Sequence, residues 1–338
     1  MNYFSNIAGN TTLTQRLSQD ISSGALSHAY IIEGRRGSGR HLMALSAAAA
    51  ISCRDANEAP CQKCINCRKI FEDRSPDVIR IGLDDDKKAI GVDAVRRIKS
   101  DISTAPNDLD IKVYVIDDAD TMTQQAQNAL LLSLEEPPEY ILFFLICENS
   151  SSLLETVRSR APILRTERLS SEKVEEYVLA HDKRAAQLKS EKPDEFATVI
   201  FVADGCIGTA LDLLDSRTRK KLIDSRLVAS KIISMLSKKS STEAFELITS
   251  LGNKRADVAD KLSQVRYALR DLILLKKYDD VALCYFEDRD TAAELSTRFT
   301  ATSLLALYDA TETALDDLEK SANVRLTLMN MMQSAGLI

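Results

Sequence analysis

No proline follows Pro193, although the chain holds seven, and beyond Gly208 the only glycines are Gly252 and Gly336. A stretch stripped of helix breakers reads as a set of long helices. No apolar run approaches the roughly 18 residues that a membrane-crossing helix needs. The start, Met1-Asn-Tyr-Phe-Ser, lacks a basic region followed by an apolar run, so the expectation is a soluble, cytoplasmic chain with no membrane partner. Basic excess is also missing: Lys+Arg 44 against Asp+Glu 50 leaves a net charge of −6. That balance argues against a stand-alone nucleic-acid binder and leaves room only for a local basic patch inside an assembly. There is no repeat of fixed period and no low-complexity tract.

What is present bounds the class. A length of 338 residues exceeds one comfortable core, so two or three domains are expected, and 45% apolar residues are ample to fill them. Residues 2–27 read as a lead-in of one or two helices, with Leu13, Leu17 and Ile21 at helical spacing and Gly24 as the stop.

The chain is organised around His28-Ala-Tyr-Ile-Ile-Glu-Gly34-Arg-Arg-Gly37-Ser-Gly39-Arg40-His41, an apolar run feeding a glycine-rich loop that opens into the alanine-rich segment Leu42 to Cys53. Strand, phosphate-type loop and helix follow one another. A working loop reads G-x-x-x-x-G-K-[S/T], in which backbone N–H groups hold phosphate, Lys reaches the β/γ oxygens and the hydroxyl binds Mg²⁺. Gly34 and Gly39 keep the spacing, with Gly37 between them, but Arg40 stands in place of Lys and His41 in place of Ser/Thr. An ordinary glycine turn is the plain alternative.

Seven cysteines are an odd number, and four crowd into Cys53-x7-Cys61-x2-Cys64-x2-Cys67. Two x2 spacings let thiolates converge on one ion, with Cys53 as the fourth tetrahedral ligand, so structural Zn²⁺ is the leading expectation. An iron–sulfur cluster competes, although Phe71 stands where the ferredoxin run would continue with Cys-Pro, and a redox dithiol is a third option. Cys147, Cys206 and Cys284 read as buried small hydrophobes.

Asp77–Ile81 is a strand candidate, and Val92, Val95, Ile98 and Ile102 form one helical face. Ile111–Ile116 is a buried strand ending in Asp117-Asp118, where P-loop ATPases place a Mg²⁺-holding Asp and a carboxylate that orients water. Asp118 is one methylene shorter than the usual Glu, and a solvated acidic strand end is the alternative. Thr123–Glu136 is helical up to Pro137-Pro138, Tyr140–Ile146 is the most apolar strand, and Ser152-Leu-Leu-Glu155 matches a capping box. A short helix then runs into Ser159-Arg160-Ala161-Pro162 and a last strand near 163–166. Strands alternating with helices over 28–166 imply a parallel α/β sheet. Further on, Leu262, Val265, Leu269 and Leu272, and Leu304, Tyr308, Thr311, Leu315 and Leu318, form stripes that read as bundle core, and Ser240–Glu243 is a second capping-box candidate.

Taken in order, the glycine loop, the inserted cysteine module, the acidic strand end, Glu135-Glu136-Pro137-Pro138 and Ser159-Arg160 resemble the AAA+ clamp-loader subunits of bacterial DNA polymerase III. Near the end, Ser321-Ala-Asn-Val-Arg325-Leu is similar to the same family's collar. The resemblance implies an α/β AAA+ P-loop-type domain with an inserted zinc knuckle (1–168, module 53–67), an all-α lid (169–215) and an all-α collar (216–338). It implies partnership with ATPase motor and clamp-opening subunits in a pentameric ring, and indirectly with a sliding clamp and primed DNA. The family's Ser-Arg-Cys motif, here Ser159-Arg160-Ala161, gives an arginine finger to a neighbour's ATP site; a surface ion pair is the alternative for Arg160. Arg40, His41 and Asp118, together with the lack of an arginine in Gly205–Leu211, imply that this chain does not hydrolyse ATP. Gly34, Gly37, Gly39, Arg40 and Asp117 then form a vestigial site that binds ATP weakly or not at all, Arg40 keeping some capacity for phosphate. The competing expectations are an active AAA+ ATPase, either the motor subunit or a branch-migration helicase, and a zinc-finger nucleic-acid binder, for which C-x2-C-x2-C is too compact to present a reading helix.

Overall fold

The structure, a computed structural model, describes all residues except 1–2, 5, 56, 84–87, 238–245, 247, 249, 279, 321 and 337–338. The chain divides into two compact units, Met1–Ala180 with Gly205–Thr209, and His181–Asp204 with Ala210–Ile338.

The first unit is built on a five-stranded sheet whose described pairings are all parallel, in the order β2-β3-β4-β1-β5. Its elements are α1 (Thr11–Ser23), β1 (Ala29–Glu33), α2 (Arg40–Ile51), α3 (Ile65–Phe71), β2 (Val78–Ile81), α4 (Val92–Asp101), β3 (Lys112–Ile116), α5 (Gln124–Glu135), β4 (Ile141–Cys147), α6 (Glu155–Arg158), β5 (Ile163–Arg165) and α7 (Ser171–His181). Gly24 ends α1 in the left-handed region, where its N–H reaches the carbonyls of Asp20 and Ile21.

The continuous apolar strands are explained by covered faces. Tyr30, Ile32, Val113, Val115 and Phe144 pack on one side against α1 and the alanine-rich α2. Ile31, Tyr114, Ile116, Phe143 and Leu145 pack on the other against α4 and α5. Alternate residues thus enter opposite cores, as in any sheet sandwiched between helices. Lys112, buried in β3, is satisfied by the Asp101 carbonyl and carboxylate at 3.3 and 3.1 Å, and the Tyr114 hydroxyl donates to the same carboxylate at 2.7 Å.

Asp77, just before β2, folds the approach to β3. Its carboxylate accepts N–H bonds from Asn107 and Asp108, each at 2.6 Å, and from Leu109 at 2.9 Å. Burial raises its pKa, but these amides outweigh that and hold it below the ordinary carboxylate value. A depressed folded pKa contributes stability that is complete above the unfolded value of about 4 and is lost as pH falls through the folded value. Asp77→Asn is expected to cost about 1–3 kcal/mol in urea unfolding at pH 7 and to flatten the acid loss below about pH 4; an unchanged midpoint and acid limb would contradict this.

One expectation fails locally. Glu155 is the first residue of α6, and Leu154, its N-cap, makes no side-chain cap bond. No Ser152–Glu155 capping box forms, because buried Gln127 from α5 accepts the Leu154 N–H at 2.7 Å while its amide donates to the carbonyls of Met122 and Ser152. The candidate box at Ser240–Glu243 lies outside the described residues.

The second unit is helical: α8 (Lys183–Glu191), α9 (Pro193–Ala203), α10 (Ile207–Leu214, whose first residues belong to the first unit), α11 (Ser216–Ser237), α12 (Arg255–Leu275), α13 (Arg289–Thr297), α14 (Ala301–Glu319) and α15 (Val324–Ser334). Both stripes read from the sequence enter one core: Leu262, Val265, Leu269, Leu272, Leu304, Leu315 and Leu318 are buried together, with Tyr308 packed against them. Thr300 and Ser303 make the reciprocal bonds of a capping box on α14. Asn323 caps α15 by accepting the Leu326 N–H. Among the described residues, no helix is long and apolar enough to cross a membrane.

Cys147 and Cys206 are buried as expected, but Cys284 is only partly so. Its sulfur lies 3.3 Å from both the Asp271 carboxylate and the Arg270 guanidinium, and burial, reinforced by the Asp271 charge, pushes its thiol up to about 11.

Candidate functional site

Two features of the first unit carry chemistry. The first is the glycine loop between β1 and α2. Gly37 and Gly39 both adopt positive φ, 81° and 87°, which glycine alone reaches without strain. The Gly37 carbonyl accepts the Gly208 N–H at 2.8 Å, and the Thr209 hydroxyl donates to the Arg36 carbonyl at 3.2 Å. A Cβ on Gly37 would come within 2.5 Å of the Thr209 backbone nitrogen, so this close approach requires glycine. Gly34 is equally constrained, because a Cβ there would meet the Thr166 hydroxyl at 1.8 Å.

Asp117 is joined to the loop, but not as a free metal ligand. One carboxylate oxygen meets His41 Nδ1 at 3.1 Å and the other pairs with Arg80 of β2. Burial raises its pKa, but the His41 and Arg80 contacts prevail and lower it. Asp118 takes a left-handed conformation, φ 48°, with an exposed side chain. The sequence reading missed Arg80. Its only signal was a cation alternating with apolar residues on the strand next to β3.

His41 therefore does more than lack a hydroxyl: it engages one oxygen of the Asp117 carboxylate. Arg40→Lys with His41→Thr, which restores the G-K-T spelling, is expected to leave Mg²⁺-dependent ATP turnover of the chain at background because Arg80 still holds Asp117; measurable turnover by that double variant would contradict the pairing argument.

Ser159 and Arg160 lie elsewhere. Glu135 ends α5 just before β4 begins, and Arg160 follows α6 just before β5 begins, so both sit at the edge where the strands start. The glycine loop and Asp117 follow the ends of β1 and β3. Arg160 and its own chain's loop are thus separated by the length of the strands, about 15 Å. Arg160 donates to Glu135 at 2.7 Å and to the Thr156 carbonyl at 2.8 Å, the Ser159 hydroxyl donates to that same carbonyl, and Ala161 is buried in the core.

The second feature is the cysteine module between α2 and α3. The sulfurs of Cys53, Cys61, Cys64 and Cys67 all lie within 4.8 Å of one another. Tetrahedral thiolates around one ion, each about 2.3 Å from it, stand that close. The backbone N–H groups of Cys61, Cys64 and Cys67 point at the sulfurs of Cys53, Cys61 and Cys64, at 3.3 to 3.5 Å. At Cys64 burial raises the pKa, yet the backbone N–H groups of Arg54 and Cys67 and the thiols of Cys67 and Cys61 bring it down to about 6, while burial keeps Cys53 and Cys67 raised. The four residues fit a single metal ion.

A five-stranded parallel sheet covered by helices on both faces, with a glycine loop after β1 and an acid after β3, defines a parallel α/β module. Residues 9–170 match the family model described as DNA polymerase III, delta subunit. The DNA polymerase III subunit tau of Bacillus subtilis is 30% identical over 90% of this chain and 56% of its own length. The subunit delta' of the same organism is 32% identical over 49% of this chain and 50% of its own. The chain thus spans about half the length of these curated relatives. A crystal structure of a gamma-subunit-related protein from Thermotoga maritima covers 94% of this chain and 98% of its own, with TM-score 0.50 and 19% identity, a likeness of fold. The chain is thus similar to the DNA polymerase III subunits delta', gamma and tau.

Proposed function

We propose that this chain is a non-hydrolysing, delta'-type subunit of a clamp loader. It would act in the cytoplasm, helping to place a sliding clamp on primed DNA and giving Arg160 to a neighbouring subunit's ATP site. The observation that supports this reading is the opposition of the two edges: Arg160 lies across the sheet from its own glycine loop and is held there only by a partly exposed pair with Glu135 and the Thr156 carbonyl, a placement that suits a finger offered to another chain. The pairing of Asp117 with His41 and Arg80 supports loss of hydrolysis within the chain.

On this reading residues 1–168 form the AAA+ domain, 169–215 a lid and 216–338 a collar that joins motor and clamp-opening subunits in a ring of five. Zn²⁺ is the ion for the four thiolates. Sulfurs this close surround one ion, whereas an iron–sulfur cluster needs them further apart, and a four-thiolate site leaves no open position for chemistry. The metal ties the end of α2 to α3.

Mass measurement after mixing with candidate motor and clamp-opening subunits tests the assembly. A complex holding one copy of this chain is expected, and a chain that stays alone with every candidate would contradict it.

A further inference from the structure

We infer that the edge of the sheet where the strands start takes a cation as well as offering one: a cavity beside the Arg160–Glu135 pair receives an arginine or lysine side chain of the subunit that docks there. The inference rests on the reading that this edge meets a neighbour, and it adds the chemistry that the neighbour brings. The cavity holds about 480 Å³ between the residues that lead into β1 and the turn that joins α5 to β4, well above the roughly 30 Å³ of one water. Leu26, Ile51, Ile111 and Leu142 supply its apolar lining. Backbone bonds fix its walls: the His28 carbonyl accepts the Phe143 N–H at 2.9 Å, and the Pro138 carbonyl accepts the Ile141 N–H at 3.0 Å. A preformed cavity needs little further ordering when a side chain enters it.

Negative charge and acceptors dominate its polar groups. Glu135, Glu136 and Glu139 line it with exposed carboxylates. Glu135 meets Arg160, whereas Glu136 and Glu139 pair with no cation among the described residues. His28 lines the same cavity, and its Nε2 is buried with no hydrogen-bond partner; with the ring proton on Nδ1, that nitrogen is one more acceptor.

The backbone adds to this. α5 ends at Glu135 with no basic residue in its last turn, so the negative end of its dipole is uncompensated there. Pro137 and Pro138 follow, and neither brings an N–H to the last carbonyls of the helix. A group with several N–H donors, no acceptor and a positive charge answers all of these at once, which describes guanidinium and ammonium. Leu132 lies one turn back on the same face of α5 as Glu135 and Glu136 and is 60% exposed. It gives the docking face an apolar contact beside the acidic rim.

Titration of the full-length chain with N-acetyl-arginine methylamide, followed by backbone amide NMR, tests the cavity without any partner. Saturable shifts in residues 135–142 are expected, with a dissociation constant on the order of 1 mM. The citrulline analogue, which has the same shape and no charge, should bind at least about tenfold more weakly. Glu136→Gln with Glu139→Gln should weaken the arginine probe about tenfold and leave the melting temperature unchanged, since both side chains are exposed. In the reconstituted complex, Glu136→Lys with Glu139→Lys should raise the dissociation constant of this chain about 10–100-fold. Arg160→Ala is expected to leave complex mass unchanged, so failure of the finger shows in the hydrolysis rate and failure of the cavity shows in probe binding and assembly. No saturable binding of the arginine probe, equal binding of the citrulline analogue, or wild-type assembly after the charge reversal would overturn the inference.

Discussion

Replacing Arg160 with alanine is expected to abolish productive hydrolysis at the neighbouring subunit's ATP site in the assembled complex, with the single-turnover rate at that site falling on the order of 10³-fold or more. That is the range seen when related NTPases lose a finger supplied in trans. In the free chain the guanidinium rests on Glu135 at 2.7 Å, both side chains being partly exposed, 33% and 46%. Such an exposed pair is worth at most about 1 kcal/mol, so a triphosphate brought up by a neighbour can take the guanidinium from it. Buried Gln127 holds the turn that leads into α6, which fixes where Arg160 is presented. Arg160→Lys should fail almost as badly, because ammonium keeps the charge but loses the fork. Complex mass and helical content should stay unchanged in both variants; a wild-type rate would remove the finger role.

Stripping the metal from the cysteine module is the second large effect. Structural zinc sites contribute about 10–16 kcal/mol in small zinc-finger peptides. Here the remaining sheet and helices hold the unit, so a loss on the order of 5 kcal/mol is expected, read as a fall in melting temperature after chelation. Elemental analysis should return about one zinc per chain, and Cys64→Ser should reproduce the chelated state. Because the thiols must shed protons to bind, affinity should fall as pH falls. A metal-free preparation with an unchanged melting curve and four unreactive thiols would contradict the staple.

Much of this fold is legible in the sequence. Apolar runs such as Tyr140–Ile146 announce strands covered on both faces. The 3-4-3 spacing of Leu262, Val265, Leu269 and Leu272 announces a core stripe, and the cysteine spacing announces the convergence of four sulfurs. These signals are local. Contacts made by residues distant in sequence left none: Arg80 reads as an ordinary solvent-facing strand residue until β3 is laid beside it, and Gln127 as a solvated helix position until Leu154 reaches it. The capping box at Ser152–Glu155 misled for the same reason, since a side chain from another helix replaced a local cap. The orphaned Nε2 of His28 depends wholly on what packs around it.

The central proposal is an asymmetry: one edge of the sheet serves ATP hydrolysis in another subunit, while the other edge does not support it in this chain. Stimulated ATP turnover in one reconstituted complex, compared between Asp117→Asn and Arg160→Lys of this chain, tests that most directly. The expected result is a wild-type rate for Asp117→Asn and collapse for Arg160→Lys. Collapse with Asp117→Asn beside a wild-type rate for Arg160→Lys would contradict it.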